Sequence, residues 1–194
     1  MEKVSQGRKE KKEDENQKGC NQNFFKMYLF IFIGHTGQGK TTMANNLIKD
    51  KRLYVFDVNN EYPKLPNDTG TLYPRMRNVD LNMKKFISIC EKLKGYNILI
   101  EDATGFLRGK INDSFSRLLV GKRHTKNNYL ILFHSINRVP PEIMEMSNFI
   151  YLFKTNDNVK IIDTKFRNAT LTNSFLRLQK MPKYSCIKIK TIEQ

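Results

Sequence analysis

The residues Gly34-His35-Thr36-Gly37-Gln38-Gly39-Lys40-Thr41 fit the spacing G-x-x-x-x-G-K-[ST], and Thr42 follows with a second hydroxyl. Glycines at 34, 37 and 39 let the backbone turn sharply and aim consecutive N–H groups inward, making an anion nest at the positive end of a following helix. A polyphosphate suits such a nest. Lys40 has the reach and charge for β and γ phosphates, and the Thr41 hydroxyl is an oxygen of the kind Mg²⁺ takes as a ligand. The expected ligand is therefore a nucleoside triphosphate with Mg²⁺. A second set, Glu101-Asp102, closes the apolar run Asn97-Ile98-Leu99-Ile100. One carboxylate there suits the metal and the other an attacking water. Glu101 is expected at the metal and Asp102 at the water. That order is the reverse of the Asp-then-Glu usual in hydrolytic enzymes with this loop.

The elements that must position these groups follow from periodicity. Tyr28 to Ile33 is a short apolar, β-prone run, and Thr41 to Lys49 repeats Met43, Leu47 and Ile48 at helical spacing, so the order is strand, glycine loop, helix. Leu53 to Val58 predicts a second strand, closed by Asn59-Asn60-Glu61-Tyr62-Pro63. Residues 64–79, with Pro66, Gly70 and Pro74, read as a surface loop. Asp80 is the expected N-cap of a helix running to about Leu93, and Gly95 ends it. Ligands of an open parallel sheet bind outside the carboxyl ends of its strands, which places Glu101 and Asp102 beside the glycine loop. A helix from about Asp113 reaches the basic knot Lys122-Arg123-His124. Then come a strand Tyr129 to Phe133, whose end His134-Ser135 is also expected near the γ phosphate, a short helix opened by Pro140-Pro141 and a strand Phe149 to Phe153. The remainder reads as a hairpin-like stretch near Lys160 to Asp163, a basic helix from Asn168 to Gln179 and a last strand Tyr184 to Ile189. His124 and His134 have no ligand companions at helical or turn spacing, and Cys90 sits on an apolar helix face, so structural roles are expected for all three. The fold expected is α/β, three layers around a mostly parallel central sheet.

The 194 residues suit one domain with a sizeable core. Residues 1–23 carry six basic and five acidic side chains with almost no apolar ones and are expected to be a disordered tail ahead of a single domain over 24–194. The formal net charge of +15 thus resides almost wholly in that domain, which favours a polyanionic partner, nucleic acid before membrane. Cys20, Cys90 and Cys186 form no C-x-x-C pair, which argues against a disulfide framework or zinc site and fits a reducing compartment. The apolar run from Phe24 is too short to span a membrane and is broken by Lys26. A soluble, cytoplasmic location is expected.

An extra strand between the glycine loop and the carboxylate strand is the order of the hydrolytic, RecA-like (ASCE) P-loop NTPases, with Glu101-Asp102 as a Walker B ending. Within that branch, Phe56-Asp57-Val58-Asn59-Asn60-Glu61-Tyr62 resembles the FtsK/HerA superfamily. So do Gly121-Lys122-Arg123-His124, the strand ending in His134-Ser135, and Val139-Pro140-Pro141-Glu142-Ile143, a resemblance covering about residues 27 to 155. The superfamily includes DNA-pumping rings and small viral genome-packaging ATPases close in size to this chain. A neighbouring resemblance is to zonular occludens toxin-like phage assembly ATPases, which normally carry a membrane span. The resemblance implies ATP hydrolysis, double-stranded DNA read without sequence specificity, a homo-oligomeric ring and, for a viral member, a portal or capsid partner and a place in the host cytoplasm or virion. It also implies an arginine finger given to a neighbouring subunit, for which Arg123 is the choice and Arg117 and Arg138 are rivals. The superfamily's Gln at the end of the sensor strand is absent, Ser135 following His134 there, so γ-phosphate sensing is expected to differ or to pass to Asn137. Other readings are a GTPase switch, since Asp102-Ala103-Thr104-Gly105 fits D-x-x-G without any N-K-x-D, a small-molecule kinase, and a non-enzymatic nucleotide-binding scaffold.

Overall fold

A strand with helices on both its faces has no solvent side, so its sequence loses alternation and becomes uniformly apolar. β1 (Leu29–Ile33), β2 (Leu53–Phe56), β4 (Asn97–Ile100), β5 (Asn128–Phe133) and β6 (Phe149–Phe153) are of this kind. A computed structural model describes residues 27–49, 51–69, 71–107 and 111–191. The tail expected over 1–23, Cys20 and the start of the run at Phe24 lie outside the described residues. The sheet has seven strands in the order β3-β2-β4-β5-β1-β6-β7, with β3 (Arg75–Asn78) and β7 (Cys186–Lys190) at its edges. All neighbours are parallel except β6 and β7.

The two faces bury different residues. α1 (Lys40–Leu47) packs through Ala44, with Ile48 just beyond it, on Phe32, Val55, Leu99, Leu132 and Phe153. The other face carries Ile31, Ile33, Tyr54, Phe56, Ile98 and Ile131 under α2 (Met83–Lys92), α3 (Asp113–Val120), α5 (Pro141–Met146), α6 (Val159–Phe166) and α7 (Ala169–Gln179). α4 (Lys122–Thr125) is a single turn leading into β5. The expected three-layer, mostly parallel α/β architecture is therefore the one observed. Cys90 is fully buried, and burial pushes its thiol well up, in keeping with a core role.

Three sequence expectations are corrected. Residues 75–78, expected within a loop, form edge strand β3. Its alternation is carried by Met76 inward and two arginines outward, and both guanidiniums have partners: Arg77 on Asp57 (3.0 Å) and Arg75 on the Lys51 carbonyl (3.2 Å). The hairpin-like stretch 160–163 is helix α6, because Asn158 caps it by accepting from the Lys160 N–H. α2 is capped by Asn82, not Asp80, whose carboxylate instead pairs with Lys85.

Asparagines fix the amino edge of the sheet. Asn148 accepts from the Leu29 N–H (2.8 Å) and Asn128 from the Tyr28 N–H (2.9 Å). Asn127 accepts from the Tyr96 N–H (2.9 Å) and donates to the Leu93 carbonyl (3.0 Å), closing the end of α2 onto the turn before β4. Asn127 is fully buried, so Asn127→Ala strands at least two backbone groups and should lower unfolding stability by about 2 kcal/mol or more. Urea unfolding of the two proteins measures this; a change within about 0.5 kcal/mol, as at a free surface position, contradicts it.

Candidate nucleotide-binding site

The glycine loop leaves β1 under tight constraints. A Cβ on Gly34 would stand 2.6 Å from the Cβ of Phe153, so only glycine fits beside β6. Gly37 (φ 73°) and Gly39 (φ 93°) are left-handed. The Gly34 N–H donates to the Phe133 carbonyl (3.0 Å) and the His35 N–H to the Lys154 carbonyl (3.0 Å), so the loop is tied to the ends of β5 and β6. The His35 ring does not face the cavity chemistry expected of the motif. Its Nε2 accepts from the Asn156 N–H (2.9 Å) and latches the loop to the segment after β6. Gln38 is half-buried, with its amide oxygen enclosed and unpaired within the protein.

Thr36, Gly37, Gly39, Lys40, Thr41 and Thr42 line a cavity of about 510 Å³, and Glu101 and Asp102 form its opposite wall. The two sets singled out by sequence thus meet in one place. Lys40 is only 6% exposed, and its ammonium donates to the carbonyls of Gly34 (2.7 Å) and His35 (3.0 Å). Burial lowers its pKa, while Glu101, Asp102 and Glu61 pull the other way. Glu101 is 3% exposed. Burial, then the nearby Glu61, raises its carboxyl to about 7, while a hydrogen bond from the Thr41 hydroxyl and the charge of Lys40 oppose the rise. Asp102 lies at φ 42° and is about a quarter exposed.

Among the described residues no group of three or more His, Cys, Asp or Glu is placed to cage a metal ion. Magnesium does not need one, since it keeps waters and takes phosphate oxygens. Thr41 and Glu101, in hydrogen-bond contact, are the donor pair that fits it, and a carboxylate raised to about 7 by burial and then by Glu61 is chemically suited to a cation.

Sequence reasoning missed the roles of three groups here. His134 was expected near the γ phosphate but in a structural role, and it lines the cavity. Glu61 also lines it, and the Tyr62 hydroxyl donates to Asn45 Oδ1 (3.0 Å) and reaches Glu101 Oε1 (3.5 Å). Both are presented by buried Asp57, whose carboxylate accepts from the Glu61 N–H (2.8 Å), the Tyr62 N–H (3.2 Å) and Arg77. The signal was present, since 56–62 was the stretch carrying the family resemblance. Asn137 is not among the cavity's walls. Its N–H donates to Asp157 (3.3 Å) and its side-chain oxygen is buried without a partner.

Arg123 does not join the site. It is exposed on α4, before the amino end of β5, whereas the cavity opens beyond that strand's other end, on the order of 20 Å away for six residues. Arg117 and Arg138 are also exposed. A second hollow of about 720 Å³, walled by Lys49, Lys51, Arg52 and Arg75 and sharing Glu61, is larger. It lacks the glycine loop and the Glu101-Asp102 pair that line the smaller cavity, and Arg75 there already serves the carbonyls at the end of α1.

No family model matches the chain, and no curated protein matches it. Solved structures do. The genome packaging NTPase B204 from Sulfolobus turreted icosahedral virus 2, in complex with AMP, superposes with TM-score 0.72 at 15% identity, over 85% of this chain and 93% of that one. The DNA-packaging ATPase B204 from Sulfolobus Turreted Icosahedral Virus gives 0.69 at 16% identity, over 84% and 92%. The N-terminal domain of zonular occludens toxin from Neisseria meningitidis gives 0.46 at 17% identity, over 67% and 78%, too partial a likeness to carry weight. At these identities what is shared is the fold, a RecA-like P-loop NTPase fold resembling that of the packaging ATPases.

The raised Glu101 carboxyl has a measurable consequence. The folded chain holds this proton more tightly than the unfolded chain, so the charge destabilises the fold; the cost is absent below about pH 4.5, grows through pH 7 and reaches on the order of 3 kcal/mol at pH 8. Without nucleotide or metal, Glu101→Gln should therefore be the more stable protein at pH 8, by up to about 3 kcal/mol, and gain under about 1 kcal/mol at pH 5. Chemical unfolding at the two pH values measures it, and an equal gain at both contradicts it.

Proposed function

We propose that this chain is a Mg²⁺-dependent ATPase that moves or packages double-stranded DNA as part of a homo-oligomeric ring. The observation that carries this reading is the convergence of the glycine loop, Lys40, Glu101 and Asp102 on one cavity. The fold it shares with packaging NTPases solved with AMP or ATP-gammaS supports it.

In this reading the loop N–H groups receive the phosphates, and Lys40 exchanges the Gly34 and His35 carbonyls for β and γ oxygens, where its charge offsets what builds in the transition state. Thr41 and Glu101 hold the magnesium, which when bound neutralises charge on the phosphate oxygens. Asp102, less buried and one residue beyond the strand's last carboxylate, orients the water. An Arg123 too far from its own cavity acts on a neighbour's, which is the geometry of a ring.

Mg²⁺-dependent ATP turnover is the expected activity, with Lys40→Ala lowering it by at least about a hundredfold. Measuring ATP and GTP turnover with and without double-stranded DNA tests it; parental rates in Lys40→Ala would contradict the site. Arg123→Ala and Lys40→Ala subunits, each inactive alone, should regain activity when mixed, because some interfaces then pair an intact loop with an intact finger. No recovery in demonstrably mixed assemblies moves the role to Arg117 or Arg138. DNA affinity should fall by at least about a hundredfold between roughly 50 and 200 mM salt, as counterion release requires. Fluorescence anisotropy measures it, and a flat salt response removes DNA as the partner.

A further inference from the structure

β5 delivers His134 into the cavity directly after Phe133, and the mechanism above leaves this ring without a task. Its backbone N–H donates to Thr104 Oγ1 (3.0 Å), in the turn that follows Asp102, so the ends of β4 and β5 are joined here. The ring lies between the two halves of the site. Nε2 is 3.1 Å from Asp102 Oδ1, in contact but not aligned as a hydrogen bond, and Nδ1 is 3.4 Å from the Lys40 ammonium and 3.5 Å from Thr36 Oγ1. Lys40 has only protons to offer, so Nδ1 faces it as the acceptor and the ring's own proton sits on Nε2, toward the carboxylate. Asp102 is held at the positive φ that a non-glycine residue rarely adopts, and that conformation brings its carboxylate to the imidazole.

We propose that His134 is the positioning residue for Asp102: an imidazole that bridges the glycine-loop lysine to the water-directing carboxylate and sets that carboxylate's orientation according to where Lys40 is docked. With Lys40 on the loop carbonyls, the ring is shared between lysine and carboxylate. When a triphosphate draws Lys40 away, Nδ1 loses its strongest neighbour, and the ring is free to align Nε2–H on Asp102 and fix it toward the water. Contacts that are loose without substrate and tighten with it are common among catalytic groups. The inference rests on the ATPase reading and deepens it. It gives the task expected of Asn137 to a residue whose partners lie 32 and 94 positions away in sequence.

A glutamine keeps the same polarity in a different frame, an amide oxygen to accept from Lys40 and an NH₂ to donate to Asp102, whereas alanine and phenylalanine keep neither. In steady-state ATP hydrolysis, His134→Ala and His134→Phe should lower kcat by about a hundredfold with KM within about threefold, and His134→Gln should recover to within about tenfold of the parent. Thermal denaturation of each variant accompanies the kinetics. Parental kcat in His134→Ala overturns the proposal, as does a His134→Gln that is as slow as His134→Ala at equal thermal stability. A parental chain that hydrolyses no ATP overturns the ATPase reading and this inference with it, whereas an active parent with an equally active His134→Ala overturns this inference alone.

Discussion

Glu101 carries a carboxylate to a place where 3% of its surface meets solvent, and the rest of the carboxyl edge is arranged around that fact. The four residues of β4 before it are all buried, and Glu101 follows directly at the strand's carboxyl end. Its neighbours do not cancel the charge: Glu61 and Asp57 add to it, and Lys40 answers it only in part. Lys40 is in the complementary position, a buried ammonium turned onto the carbonyls of its own loop. A carboxylate short of a cation and an ammonium short of an anion, held in one cavity, are complementary to the metal-bound triphosphate we propose as its ligand. Folding bears the electrostatic cost in advance, and ligand binding offsets it.

What holds the cavity in shape is a four-residue segment after β6. The Lys154 carbonyl and Asn156 N–H grip His35 through its N–H and its ring. One residue on, Asp157 accepts from the Ser135 hydroxyl and from the N–H groups of Ile136 (2.8 Å) and Asn137. The glycine loop and the turn after β5 are therefore bolted to the same short piece of backbone. Gln179 of α7 donates to the Thr155 carbonyl (3.0 Å), and Lys165 of α6 donates to the Val139 carbonyl (2.9 Å). α7 thus supports the segment after β6, and α6 supports the turn after β5.

The sequence was readable where chemistry is local. The glycine loop, Glu101-Asp102, the apolar strands and the order of the main elements depend on short-range pattern, and the structure brings them together as expected. It was not readable where partners come from far along the chain. β3 was hidden because its arginines look like loop residues until Asp57 and the end of α1 are seen to receive them. α6 was hidden because Asn158 announces a cap only by the bond that it makes. The strand order already set His134 near the γ phosphate, but it was given a structural role because nothing within a helical or turn spacing could partner it, while its actual partners stand on another strand's end and on the glycine loop. Asp57 has the same history: its type and position were noticed, but its role as the brace for Glu61 and Tyr62 exists only in three dimensions.

In the function proposed above, the glycine loop and the end of β4 bind a single magnesium-bound triphosphate between them. Diffraction from crystals grown with Mg²⁺ and a non-hydrolysable ATP analogue tests this most directly. The expected result is density for the phosphates on the loop N–H groups, Lys40 turned from the Gly34 carbonyl to the γ phosphate, and a cation joined to Thr41 on the Glu101 side. Phosphate density in the basic hollow beside Lys49 and Arg75, with Lys40 unmoved and Glu101 facing no cation, would contradict it.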